Sequence, residues 1–498
     1  MRSLIAPAAY AIIGVVLAAA LARTGGRLNL TAPVVAPIAT PPPTPHAPRH
    51  ARTLLVVIDG LRADVADTLP FINEVARRGN RTRLLADPPT YSTAQYVALL
   101  AGVPPRDSGV RTNETIRPAG VDDVALRARA GGLVTAVVST CVDWWRLLFP
   151  ASFTHALVVP AENILAAFGD IAPGADFVIV HLCAVDDAGH AAGARSPLYS
   201  EAARAVDRTT AALARAWGWP GRNVVVTADH GHRDRGGHGG AEPEVRTSFL
   251  VAAGPDIQET TDAGVARVVD MAPTLASLLG VAAPVTASGR TLVELLSLPA
   301  RERAAAVTDD VARGARVANA TAAARGPLER GQRRARLLRG IPALLAAAGV
   351  AWLARRRPLA FLRGLVGLAL AVAAFTVIFG PVSFSAARRG IVWGLGITAL
   401  AFVAAAIALI LGARRRAGQT KDPLGTAAIV AGFSPPAVAA FVHSGLFASR
   451  LSCEPAWVAA GPPFAFAALA GACAAATLIA AAQAAWPWRG SRSEARGH

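Results

Sequence analysis

The chain has 498 residues and almost no lysine: Lys421 is the single one. It has only two methionines and four cysteines. Cys141, Cys183, Cys453 and Cys473 are widely scattered and form no CxxC pair, so no metal-binding cysteine site is expected. No disulfide framework is expected either, and the cysteines give no reading of redox compartment. No DNA- or RNA-binding motif is present. The formal charge of +17 is nonetheless large, with 50 basic against 33 acidic residues. It is carried by arginine, clustered beside apolar segments, which reads as membrane topology rather than a nucleic-acid footprint. Mean hydropathy is +0.40 and 53% of residues are hydrophobic, high for a wholly soluble protein.

The apolar excess lies at the two ends. Residues 1–23 carry Arg2 and then an apolar run from Leu4 to about Leu21, long enough to span a bilayer. It reads as an anchor, with a cleaved signal as the alternative. Residues 24–50 are rich in Pro, Ala and Thr and read as an extended tether. Residues 51–300 have the composition of a globular domain. Residues 301–336 form a basic linker, and 337–488 a helical membrane domain of about five spans: 337–354, 359–380, 390–412, 425–447 and 456–486. Arg355–Arg357, Arg414–Arg416 and Arg489, Arg492 and Arg496 all fall on one side, so both termini are expected in the cytoplasm and residues 51–300 outside it. No intramembrane carboxylate pair marks an ion pathway.

Within 51–300, four apolar runs read as strands: 53–58, 131–140, 176–182 and 223–227. Helical stretches between them predict an α/β sandwich with a mostly parallel sheet. Asp59 follows the first run, at the strand end where such sheets hold ligands. Asp186 and His190 follow the third run, four apart, so one helical turn can aim both at one ion. Asp229 and His230 follow the fourth, and His238 sits in a glycine-rich loop. Ser92 opens a helical stretch, where it is either an N-cap or a reactive hydroxyl near free N–H groups. Carboxylates, imidazoles and a hydroxyl are the parts of a two-metal phosphoryl-transfer site. Mixed His/Asp ligation leans to zinc, with manganese as the alternative.

These residues carry a likeness. Residues 52–295 resemble the alkaline phosphatase superfamily, within it the type I phosphodiesterase/nucleotide pyrophosphatase group, and most of all the GPI ethanolamine phosphate transferases. The segments that carry the last likeness are Ser92 with Val97–Gly102, Asp143–Pro150 (Asp-Trp-Trp-Arg-Leu-Leu-Phe-Pro), and Gly236–Gly240 with Glu242 and Glu244. The resemblance implies an alkaline-phosphatase-like fold and two divalent metal ions. One would take Asp186, His190 and His238; the other Asp59, Asp229, His230 and the nucleophile Ser92. Asn113 falls where relatives keep an asparagine on a phosphate oxygen. Asp270 reads as a helix cap rather than a ligand. The sulfatase branch fits poorly, because the residues after Ser92 lack its Cys/Ser-x-Pro-x-Arg pattern. The expected function is a membrane-anchored phosphotransferase or phosphodiesterase acting on a phosphodiester or phospholipid outside the cytoplasm. The rivals are a nucleotide pyrophosphatase-type hydrolase and a non-catalytic membrane scaffold.

Overall fold

The computed structural model describes residues 52–113, 117–259 and 264–379, with Ala428 and Gly432. Segments 1–23 and 24–50, and the expected spans 390–412, 425–447 (those two residues apart) and 456–486, lie outside the described residues.

β1 (Thr53–Ile58) is the centre of the domain. Its Leu55 and Val57 enter the core on one face of the sheet, Leu54, Val56 and Ile58 the core on the other. All five are fully buried. A strand buried on both faces has no polar side to alternate, which is why the sequence reads as an unbroken apolar run. At about 1.5–3 kcal/mol per buried aliphatic side chain, this strand alone is a large share of the cohesion.

The sheet has eight strands in the order β4-β3-β5-β1-β6-β7-β2-β8. The others are β2 (Asn80–Leu85), β3 (Thr135–Ser139), β4 (His155–Val158), β5 (Phe177–Leu182), β6 (Asn223–Thr227), β7 (Thr247–Ala253) and β8 (Val265–Arg267). β7 runs antiparallel to both its neighbours and every other pairing is parallel. The expected mostly parallel sheet is therefore present. β5 and β6 flank β1, with Ile58 beside Leu182 and Val57 beside Thr227. Their carboxyl ends lie level, so whatever follows each strand meets at one place.

Nine helices matter below: α1 (Pro70–Arg77), α2 (Ser92–Ala101), α3 (Val124–Ala130), α4 (Ile164–Ile171), α5 (Ala184–Ala192), α6 (Pro197–Trp217), α7 (Met271–Leu279), α8 (Ala300–Arg356) and α9 (Pro358–Phe379). α2, α3 and α7 cover one face of the sheet; α1, α4 and α6 cover the other. The result is an α/β/α sandwich. α6 shows clear local signals. Ser196 caps it by accepting from Tyr199 N–H, Pro197 occupies the first turn, and Gly218 ends it in the left-handed conformation.

The expected linker 301–336 and first span 337–354 form one continuous helix, the 57-residue α8. Its first turns pack on the domain. The buried Arg313 guanidinium donates to the carbonyls of Ala287 (3.1 Å) and Gly289 (2.7 Å), and Arg325 pairs with Asp107. The second expected span coincides with α9. Among the described residues no helix is long and apolar enough to cross a membrane.

One expectation is corrected. Cys141 and Cys183 form a disulfide across a separation of 42 residues. The cause is register. β3 and β5 are parallel neighbours with Ser139 beside His181, so the residues two further on come together. Spacing along the chain carries no trace of this. Replacing both cysteines by serine should cost about 2–4 kcal/mol of stability. Denaturation of the two proteins side by side checks this; coincident unfolding curves would refute it.

Candidate active site

The three central strands deliver the chemistry. Asp59 leaves the end of β1, α5 starts two residues after β5 and carries Asp186 and His190, and Asp229 and His230 leave the end of β6. Tyr199 fixes the turn after β1: its hydroxyl donates to Gly60 O (2.6 Å) and accepts from Arg62 N–H (2.9 Å). Arg62 then binds Asp64 and Asp234, tying that turn to the loop beyond β6.

Ser92 is the first residue of α2, not its cap; Tyr91 stands at the cap and makes no side-chain capping bond. The serine hydroxyl is thus free for other work. Gln95 holds the preceding turn by donating to the carbonyls of Asp87 (2.8 Å) and Pro89 (3.0 Å). Ser92 Oγ lies 3.2 Å from His230 Nε2 and accepts a long 3.4 Å bond from the Asn113 amide. Asn113 is oriented by its own Oδ1, which accepts from Thr93 N–H and Thr93 O–H.

The structure gathers the predicted ligands into two groups. In the first, Asp59, Asp229 and His230 are buried. His230 Nε2 stands 3.4 Å from Asp59 Oδ1 and 3.2 Å from Asp229 Oδ2. Neither of these carboxylate oxygens has a hydrogen-bond partner. His230 Nδ1 is 3.1 Å from the Gly231 carbonyl, so Nδ1 carries the proton and Nε2 offers a lone pair. Two orphaned carboxylate oxygens and a bare imidazole nitrogen leave a cation as the fitting partner. The second group is Asp186, His190, His238 and also His232. His190 and His238 approach each other at Nε2 (3.0 Å), with Asp186 oxygens 3.4 and 3.6 Å away. His238 Nδ1 donates to Thr90 O (2.9 Å), which again frees Nε2. The His190 side chain is 52% exposed against 17% for Asp186 and none for His230. Access is therefore from the His190 side.

Three residues beside these two groups are not among the candidates that the sequence singles out. His181, inside β5, and Tyr96, on α2, both contact Asp59 Oδ2, at 3.0 and 2.6 Å. Tyr96 stacks on Trp145 (ring centroids 4.2 Å apart), so the Asp143–Pro150 segment buttresses Asp59 through Tyr96. A lone histidine in the apolar run Phe177–Leu182 was the available signal. The third is His232, two residues past His230. Cys141, His181 and Cys183 also cluster, but the disulfide consumes both thiols. Asp270 accepts from the backbone N–H groups of Arg267 (2.8 Å) and Arg290 (2.9 Å), a structural role.

Charge crowding shows in the acidities. Burial, reinforced by the negative charge of Asp59, pushes Asp186 up to about 7 and Asp229 well above the carboxylate range. Burial acts the same way on Asp59 but is outweighed by the His181 hydrogen bond and the His230 and His181 charges, so Asp59 falls below that range. Burial lowers His230 and His238, and the other imidazoles lower His238 further.

The profile of the type I phosphodiesterase/nucleotide pyrophosphatase family matches residues 53–146 and 133–239. The match supports the expected likeness of those residues to that group of the alkaline phosphatase superfamily. The domain is similar to the catalytic subunit of human GPI ethanolamine phosphate transferase 3, 26% identical over 292 residues, which are 50% of this chain and 26% of that protein. It resembles the Schizosaccharomyces pombe GPI ethanolamine phosphate transferase 3 at 26% over 262 residues, 46% of this chain and 28% of the relative. The alignments thus take in about a quarter of the relatives' length. Among solved structures, human ectonucleotide pyrophosphatase/phosphodiesterase 5 aligns at 14% identity and TM-score 0.43, covering 50% of this chain and all of that one. A 2-O GAG sulfatase aligns at 17% and 0.40, covering 49% and 74%.

A raised Asp186 predicts pH-dependent cation binding. Below about pH 7 the metal-free carboxyl keeps a proton that a cation must displace. Zinc affinity should therefore rise with pH up to about 7, where an ordinary carboxylate would already be ionised. Competition against a chromophoric chelator from pH 5.5 to 8 reads this; a flat affinity over that range would exclude it.

Proposed function

We propose that this chain is a membrane-anchored, zinc-dependent phosphotransferase or phosphodiesterase that works outside the cytoplasm through Ser92. The observation that carries the reading is the place of the Ser92 hydroxyl. It lies 3.2 Å from His230, in the cluster where Asp59 and Asp229 each keep an unpartnered oxygen, and it accepts from the Asn113 amide.

Asp59, Asp229 and His230, with Ser92, would hold one cation, and Asp186, His190 and His238 the other. Bound there, divalent cations would stabilise the ionised Ser92 oxygen and offset charge on the substrate. Ser92 gives its hydroxyl proton to solvent, Oγ attacks phosphorus, and a phosphoserine forms as the P–O bond to the leaving alcohol breaks. The leaving oxygen takes up a proton from solvent. Asn113 Nδ2 donates to a non-bridging phosphoryl oxygen, more strongly as charge grows on it. Water or an acceptor alcohol, entering from the open His190 side, then attacks phosphorus; the Ser92 Oγ–P bond breaks, and the proton the attacking oxygen loses to solvent balances the one that Ser92 regains.

The relatives named GPI ethanolamine phosphate transferases support transfer of an ethanolamine phosphate group, for which we propose a phospholipid donor and an alcohol acceptor. The family description favours a second reading, hydrolysis of nucleotide-like phosphodiesters. Export of the domain is supported by the Cys141–Cys183 disulfide, which persists in oxidising compartments. The apolar N-terminal run and the one-sided arginine clusters support anchoring.

The test is turnover of bis-p-nitrophenyl phosphate, phosphatidylethanolamine vesicles and a dinucleotide by the full-length chain in detergent. Ser92→Ala should abolish turnover and chelation should do so reversibly, with zinc restoring it. Asn113→Ala should lower kcat by roughly 100- to 1,000-fold. Preference for the vesicles supports transfer and preference for the dinucleotide the hydrolase. Full activity of Ser92→Ala would sink the serine mechanism.

A further inference from the structure

His232 belongs spatially to the ligand cluster of Asp186, His190 and His238, yet its hydrogen bonds set it apart from them. In His230 and His238 a backbone carbonyl faces Nδ1, so Nδ1 bears the proton and Nε2 is bare. In His232 the polarity is reversed. The backbone N–H of Gly237 donates to Nδ1 at 3.1 Å. An N–H can only donate, so Nδ1 is the acceptor and Nε2 bears the proton. That proton points at Asp186 Oδ1, 2.6 Å away. A protonated nitrogen does not ligate a cation.

We propose that His232 is a positioning residue that fixes the Asp186 carboxylate in the orientation required for metal binding, and that it is not a ligand. The proposal rests on the two-metal reading. Outer groups that orient a ligand are a recurrent part of metal sites. Here the usual order is mirrored, with the histidine holding the carboxylate.

The surroundings are built for that one orientation. The His232 side chain is fully buried. Its ring lies in a slot walled by two glycines. A Cβ on Gly189 would come within 2.6 Å of the His232 ring; one on Gly60, whose φ is +71°, would meet both His232 and Asp186 at 2.9 Å. His190 packs edge-on against the same ring, centroids 4.9 Å apart at 89°. The slot thus brings ring and carboxylate together and leaves neither room to turn. On the β1 side, His181 Nε2 meets Asp59 Oδ2 in the same way while Oδ1 stays unpartnered. Each cluster pairs one carboxylate with one outer histidine.

The experiment is zinc titration of the full-length chain in detergent, with bound metal counted and affinities read by chelator competition. Wild type should bind two equivalents and His190→Ala one. His232→Ala should still bind two, one of them roughly 10- to 100-fold more weakly. His232→Gln places an amide N–H2 near the position of Nε2 and should recover most of the loss. His232→Asn keeps an acceptor for Gly237 but is too short to reach Asp186, and should not recover it. Since glutamine and asparagine both refill the slot with a polar group, their difference reads orientation rather than folding. Loss of a whole equivalent in all three variants would make His232 a ligand and overturn the proposal. So would unchanged affinities. A wild type that binds no zinc would overturn the two-metal reading itself.

Discussion

Asp59 and Asp229 are buried and Asp186 is largely so, and much of the domain is explained by what that requires. Burying one unpaired carboxylate is costly, and burying three together is worse. The raised acidities of Asp186 and Asp229 express that cost directly. The domain meets it in two ways. It turns the protons of His230 and His238 toward backbone carbonyls and sets His232 and His181 against Asp186 and Asp59, and it leaves one oxygen each of Asp59 and Asp229 bare. Such an arrangement is poor for a protein alone and good for one that binds cations.

The sheet makes this crowding possible. Adjacent parallel strands end level with one another, so the residues just past β5, β1 and β6 meet without a long loop. Their burial on both faces makes the platform rigid: β1 is sealed from solvent on each side, and β5 and β6 are its hydrogen-bonded neighbours. Ser92 arrives separately, on the helix that covers one face. The candidate ligands come from the strand ends, from α5 and from the loop beyond β6, and the proposed nucleophile from a helix start, so none has to bend the sheet.

Around the candidate ligand atoms lies a second set of residues that hold them in place. Tyr96, braced by Trp145, and His181 hold Asp59; Asn113 is held by Thr93; His238 is held by Thr90. The disulfide lies against the same region, with Cys183 Sγ 3.5 Å from His181 Nδ1. The β3–β5 edge is thereby fixed where it supports a ligand. The contacts of Arg313 and Arg325 dock the first half of α8 on the α/β domain.

The sequence by itself determined the strands that matter and the residues that leave them. Thr53–Ile58 and Asn223–Thr227 are unbroken apolar runs because both faces of the strands are covered, and Asp59, Asp186, His190, Asp229 and His230 stand at fixed short offsets from such runs. Their approach to one another follows from a parallel sheet, which the alternation of elements already implied. Ser92 and His238 were legible through the glycine and helix signals around them. What only the tertiary structure decided depends on contacts between residues far apart in the chain. The Cys141–Cys183 bridge follows from the register of β3 on β5, and the support of Asp59 by Tyr96 and His181 from the packing of α2 over the sheet. The distinction between His230 and His232, two residues apart and chemically identical, turns on whether a backbone C=O or N–H faces Nδ1. No spacing rule encodes that, because the carbonyl and the amide are placed by the folded loop.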